Sequence, residues 1–152
     1  MFGEFVQEQG LLFIALAVVV TMLIYSYVGD RLSGFKSVNA DGAIRLFNDD
    51  AYLLDVRSAG EFKEGYIGEA TNISSTELKD KLNQLPKDKE KPILIYCLTG
   101  SRSARSAGLL VKNGYKNVSN LAGGINAWKT ASLPVATAKS KAKKNKKKAG
   151  SK

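Results

Sequence analysis

Cys97 is the one cysteine of the chain, and it stands where the apolar run Ile95-Tyr96 gives way to Leu98-Thr99-Gly100-Ser101-Arg102-Ser103-Ala104-Arg105-Ser106. A thiol at the carboxyl end of a strand, followed by a short Gly/Ser/Thr loop that feeds a helix, sits where several backbone N–H groups converge. The field that would bind an anion at that spot also stabilises a thiolate, so Cys97 is expected to be nucleophilic near neutral pH. Leu98, Thr99, Gly100, Ser101, Arg102 and Ser103 form the candidate binding set, with Arg102 adding positive charge. A lone cysteine is more commonly a small buried hydrophobe, but such a residue needs neither a glycine-bearing loop nor Arg102 and Arg105 close behind it. Histidine is absent, which removes Ser-His and Cys-His hydrolases. With one cysteine and no histidine there is no metal-ligand cluster, and no cofactor is expected.

The elements that must hold this loop read as alternating strands and helices. Asn39 is a good N-cap for a helix from Ala40 to Asn48. Residues 51–56 are apolar and end in Asp55 and Arg57, the signature of a buried strand delivering polar groups to its carboxyl edge. A helical turn at residues 61–64 and a short strand at 70–73 follow. Ser74-Ser75 is expected to cap a helix through Leu78, Leu82 and Leu85, stopped by Pro86. The strand at 92–96, the Cys97 loop and a helix at 102–112 come next, closed by Asn113-Gly114. A strand at 118–121, the Gly123-Gly124 turn and a short helix at 125–129 carrying Trp128 complete the pattern. Apolar strands separated by amphipathic helices imply an α/β fold, a small parallel sheet flanked by helices, with its site at the strands' carboxyl ends. Trp128 and the leucines at 78, 82 and 85 read as core.

Both ends lie outside that domain. The uncharged run that opens at Leu11 and closes at Val28 would make a helix of about 27 Å, and including Gln9, Gly10 and Gly29 completes a transmembrane helix over about 9–29. Glu4 and Glu8 occupy the place where a cleaved secretion signal would carry basic residues. No Lys or Arg precedes the run, whereas Arg31 and Lys36 follow it. The expectation is a single-pass anchor in a cell's inner membrane, N-terminus outside and the C-terminal domain cytoplasmic. A single unpaired thiol suits that reducing compartment. Eight lysines and no acids fall in residues 137–152, leaving about +1 of the +9 net charge for everything else. Such a tail buries too little to order itself. It would adhere to anionic lipid or an acidic partner, and without interleaved aromatics it is not a specific nucleic-acid reader. The organisation expected is an N-terminal segment with the anchor at 1–29, a linker at 30–36, a domain at 37–134 and a disordered lysine-rich tail at 135–152.

Leu54-Asp55-Val56-Arg57, Glu61-Phe62, Gly65-Tyr66-Ile67, the run from Tyr96 to Ser103 and Leu121-Ala122-Gly123-Gly124-Ile125-Asn126-Ala127-Trp128 occur in that order. Together they resemble a single-domain rhodanese, and the apolar run makes the chain look like a membrane-tethered bacterial member. The resemblance implies a rhodanese-like sulfurtransferase. Cys97 would attack the outer sulfur of a donor such as thiosulfate, become a persulfide, and pass the sulfur to a thiol or cyanide acceptor. Asp55 and Arg57 then have a supporting role, fixing the loop's surroundings. Where many members carry Gly-His-Ile, this chain has Gly65-Tyr66-Ile67, so any role of that histidine is lost.

Two rival functions remain at this stage. Cysteine phosphatases and arsenate reductases also place a thiolate in an amide-lined loop, but that pattern needs five residues between Cys and Arg, and here four separate Cys97 from Arg102. The second rival is a membrane-tethered adaptor that keeps the fold for recognition without turnover.

Overall fold

Strand alternation explains how the core forms on two sides of one sheet. In the strand Ile93–Tyr96, Ile93 and Ile95 pack with Leu54, Ala107, Leu110 and Val118, whereas Leu94 and Tyr96 pack with Leu53, Leu121, Ile125 and Trp128. Successive side chains point to opposite faces, and both faces are covered, so all four residues of this strand are buried. Cys97 continues the alternation onto the Ile95 face.

The computed structural model describes residues 2–137, without the side chains of residues 2–9 and 27–32. The chain divides into two units, Met1–Ser33 and Gly34–Lys152. The first is a helix, α1, over Phe2–Leu32. The second contains β1 (Lys36–Val38), α2 (Ala40–Asn48), β2 (Tyr52–Asp55), α3 (Ala59–Glu64), β3 (Thr71–Asn72), β4 (Ile93–Tyr96), α4 (Ser101–Lys112), β5 (Val118–Leu121) and α5 (Gly124–Thr130). Its sheet has the order β1-β5-β4-β2-β3 with every pairing parallel. The α/β architecture expected from the sequence is the one found.

Local chemistry sets the helix starts. Asn39 caps α2, its side chain accepting from the Gly42 N–H at 2.9 Å. Ser58 and Glu61 form a reciprocal capping box at α3, which satisfies two otherwise orphaned donors. Three differences from the sequence reading stand out. β1 lies within and just past the stretch read as linker, where Lys36 to Val38 pair with Ser119 to Leu121. The helix expected after Ser74-Ser75 is instead a run of turns ending in a 3₁₀ turn, Leu82–Gln84. The Ser75 N–H is tied to the Val56 carbonyl and the Tyr115 hydroxyl donates to the Pro86 carbonyl, so the segment is held at both ends. Tighter winding still sends Leu78 and Leu85 into the core. Finally, the chain is held beyond Pro134, because Ala136 and Tyr66 exchange both backbone hydrogen bonds, at 2.9 and 2.7 Å. From residue 138 the expected lysine-rich tail lies outside the described residues.

In α1, Leu11, Phe13, Leu16, Val19, Met22 and Leu23 all have exposed side chains. Among the described residues no helix is long and apolar enough to cross a membrane. The expected span is not borne out among the described residues, and its flanks at Gln9, Tyr27, Val28 and Gly29 lie outside the described side chains.

Candidate active site

Cys97 follows directly on the last residue of β4, in the middle of the sheet, and its loop turns through Gly100 into α4. Gly100 has φ +100, in the left-handed region where side chains are strained. That turn aims the Gly100 N–H at the Cys97 sulfur, 3.1 Å from Sγ. The Ser103 hydroxyl lies 3.3 Å from the same atom. Burial works to raise the Cys97 pKa, and the Ser103 hydroxyl with the backbone amides of Ser103, Gly100 and Thr99 outweighs it, so the thiol is held below its ordinary value. The sulfur is also enclosed, since Cys97 exposes none of its surface.

The Gly123-Gly124 turn and the start of α5 hold the loop's backbone. The Ile125 and Asn126 N–H groups at the start of α5 donate to the Cys97 and Leu98 carbonyls at 2.9 and 3.2 Å. A Cβ on Gly124 would fall 2.5 Å from the Cys97 oxygen and from the Leu98 carbonyl, and one on Gly100 would come within 3.2 Å of the Gly123 nitrogen. The glycines are there because two backbones meet with no room for a side chain.

The remaining expected residues fall in different places. Leu98 and Thr99 are exposed, as is Ser101 at the start of α4, and Ser103 is buried against the sulfur. Arg102 turns to Glu61, its Nη1 and Nη2 donating to the two carboxylate oxygens at 3.0 and 2.8 Å. The Arg102 hydrogen bonds, against a smaller opposing effect of burial, hold the Glu61 carboxyl down at about 2. Arg105 is exposed on α4. Asp55 and Arg57 form a buried pair: Oδ1 and Oδ2 of Asp55 accept from Nε at 3.0 Å each, and Oδ2 accepts from Nη2 at 2.6 Å. Arg57 also donates to the Gly65 carbonyl at 2.7 Å and lies over the Tyr96 ring. The pair clamps the β2 end to the turn after α3. Tyr66, standing where the histidine was expected, stacks on Phe62 with ring centroids 4.2 Å apart.

Asn120 and Glu61 are the residues for which sequence reasoning found no role. Asn120, on β5 opposite Ile95, is buried and accepts the Ser103 hydroxyl at 2.6 Å. An asparagine inside a short apolar strand next to the nucleophile's strand was the available signal. Two cavities, of about 780 and 320 Å³, are lined by Phe47, Gly68 and Ala136 with their neighbours, away from the Cys97 loop. No group of residues suited to a metal ion occurs among the described residues.

A parallel sheet of this order with a cysteine nest at its carboxyl edge defines a class, and residues 39–131 match the family described as the rhodanese-like domain; the chain belongs to that family. It is 34% identical over 87 residues to a sulfurtransferase of Allochromatium vinosum, covering 57% of this chain and 79% of that protein. It is 30% identical over 139 residues to the protein YibN of Escherichia coli K12, covering 90% of this chain and 96% of the other. The crystal structure of a rhodanese-related protein from Thermoplasma volcanium superposes with a TM-score of 0.61 at 32% identity, over 66% of this chain and 97% of that one. Family membership together with a sulfurtransferase relative supports sulfurtransferase activity.

Proposed function

We propose that the protein moves sulfane sulfur through a persulfide on Cys97. The carrying observation is the Gly100 N–H 3.1 Å from the Cys97 sulfur, in a loop that holds the thiol below its ordinary pKa. The Cys97 thiolate attacks the outer sulfur of thiosulfate; a new S–S bond forms, the old one breaks, and sulfite leaves with its electron pair. A thiolate or cyanide acceptor then attacks the outer sulfur of the persulfide and returns Cys97 to thiolate. The loop amides of residues 98–103 and the positive end of α4 hold the anionic sulfur. Arg102 contributes its charge to the donor, and the Asp55–Arg57 pair keeps the edge rigid. Because the sulfur is enclosed, donor access requires the loop to open at Leu98, Thr99 and Ser101, its exposed residues.

Intact-mass measurement after thiosulfate treatment tests this. One added sulfur, about 32 Da, is expected on the wild type and not on Cys97→Ala; no adduct with any sulfane donor overturns it. The enclosure of Cys97 favours a second reading, a rhodanese-fold adaptor without turnover, and full cellular function of Cys97→Ser would establish that reading instead.

The same proposal places the protein in a bacterial inner membrane, single-pass through residues 11–28, with the domain on the cytoplasmic side. Its support is the uncharged run and its exposed aliphatic side chains. The tail lysines would then lie at anionic headgroups, each worth up to about 1 kcal/mol at the surface. Retention in the membrane fraction after carbonate washing, with Cys97 shielded from an impermeant thiol reagent until the membrane is opened, is the expected result; release by carbonate defeats it.

A further inference from the structure

Ser103 has one hydroxyl proton and three acceptors within reach. Asn120 Oδ1 lies at 2.6 Å, the Gly100 carbonyl at 3.1 Å and the Cys97 sulfur at 3.3 Å. One of the three receives it. The Gly100 carbonyl already accepts the Ala104 N–H at 3.1 Å and Asn120 Nδ2 at 3.3 Å. The contact to Asn120 is the shortest, by 0.5 Å, and its 2.6 Å is the length of a strong O–H···O bond. The other end of the Asn120 amide fixes its direction: with Nδ2 on the Gly100 carbonyl, Oδ1 must face Ser103, since the reverse would set oxygen against oxygen. Asn120 is 5% exposed, so water does not replace either contact.

We propose that Asn120 is a positioning residue that withholds the Ser103 hydroxyl proton from Cys97. At rest Ser103 turns a lone pair toward the sulfur, and the Cys97 S–H donates to it. When the proton leaves Cys97 for solvent, the Ser103 hydroxyl rotates to donate to the thiolate and gives up Asn120. Formation of the charged sulfur is thereby coupled to a contact with β5, and the loop gains its second donor to sulfur only in the reactive state. The inference deepens the sulfur-carrier reading and rests on Cys97 being the reacting atom.

The test is the thiolate absorbance near 240 nm followed against pH on the full-length protein, as a difference from Cys97→Ala to remove tyrosine ionisation. In Asn120→Leu the freed Ser103 hydroxyl is available to the thiolate, and the titration midpoint is expected about one pH unit lower than in the wild type. Ser103→Ala with Asn120→Leu is expected to titrate as Ser103→Ala alone, because Asn120 acts through that hydroxyl. A midpoint that stays or rises in Asn120→Leu overturns the inference, as does a fall that persists without Ser103. Asn120→Asp guards against misfolding of the leucine variant: it keeps the shape and an acceptor for Ser103, so its midpoint is expected no lower than the wild type, and a lower one counts against the proposal. Thiosulfate mass analysis of the same samples separates the two claims. A wild type that gains no sulfur defeats the transfer reading whatever the titration shows, and the titration alone decides the role of Asn120.

Discussion

Arg102 and Glu61 are joined end to end, both terminal nitrogens of the guanidinium meeting both oxygens of the carboxylate at 3.0 and 2.8 Å. The positive charge that the loop sequence promises is therefore shared with a carboxylate 41 residues earlier in the chain. Glu61 also accepts from the Ser58 N–H and hydroxyl, so one side chain caps α3 and restrains the arginine behind Cys97.

Replacing that carboxylate should strengthen donor binding. In Glu61→Gln the capping box survives, since glutamine serves at the same position, while Arg102 loses its counter-charge. A partly exposed pair of this kind is worth about 0.2–1 kcal/mol, so the KM for thiosulfate should fall by up to about fivefold, with little change in kcat. Steady-state transfer to cyanide measures it, and an unchanged or higher KM counts against a donor-binding role for Arg102.

Acid should weaken the same contact. The folded Glu61 carboxyl sits at about 2 against 4.5 for an unperturbed glutamate, so its folded pKa is depressed. Its contribution to stability is complete above 4.5 and is lost as the pH falls toward 2. Urea unfolding of wild type and Glu61→Gln should give curves whose difference shrinks over that interval.

Gly124→Ala should disable the nucleophile loop. The added Cβ meets the Cys97 and Leu98 carbonyls at 2.5 Å, and the backbone sits at φ +60. Left-handed strain alone costs about 1–2 kcal/mol. Loss of about 2 kcal/mol in urea unfolding and a fall of more than tenfold in sulfur-adduct formation are expected. Gly108→Ala on α4, where a Cβ meets nothing within 4 Å, is the control and should leave both unchanged or improve stability.

Asp55→Ala should unfold the carboxyl edge of the sheet more than its distance from the sulfur suggests. It strands Arg57, whose side chain is 3% exposed, and removing one partner of a buried pair costs about 3–5 kcal/mol. The double change with Arg57→Ala should cost less than the two single losses added together. Chemical denaturation of the three variants decides the point.

The alternating architecture and the loop that carries Cys97 were legible in the sequence because each rests on a local signal: apolar strands, Asn39 before its helix, and glycine at the turn out of β4. What escaped depends on distant partners. β1 is three residues long, Lys-Ser-Val, and becomes a strand only through its pairing with Ser119, Asn120 and Leu121. The leucines at 78, 82 and 85 have helical spacing, but hydrogen bonds to Val56 and Pro86 hold the segment in turns. Arg102 lies close behind Cys97 in the sequence, but Glu61, which engages it, comes from another element. Asn120 carries no motif of its own, and its place beside Ser103 follows from the β4–β5 register.

The amides of Ile125 and Asn126 grip the carbonyls of Cys97 and Leu98 from nearly thirty residues downstream. During synthesis the thiol is thus made well before the clasp that seats it. Until α5 is made those two carbonyls lack these donors, so the loop is held in full only once the chain has passed Asn126.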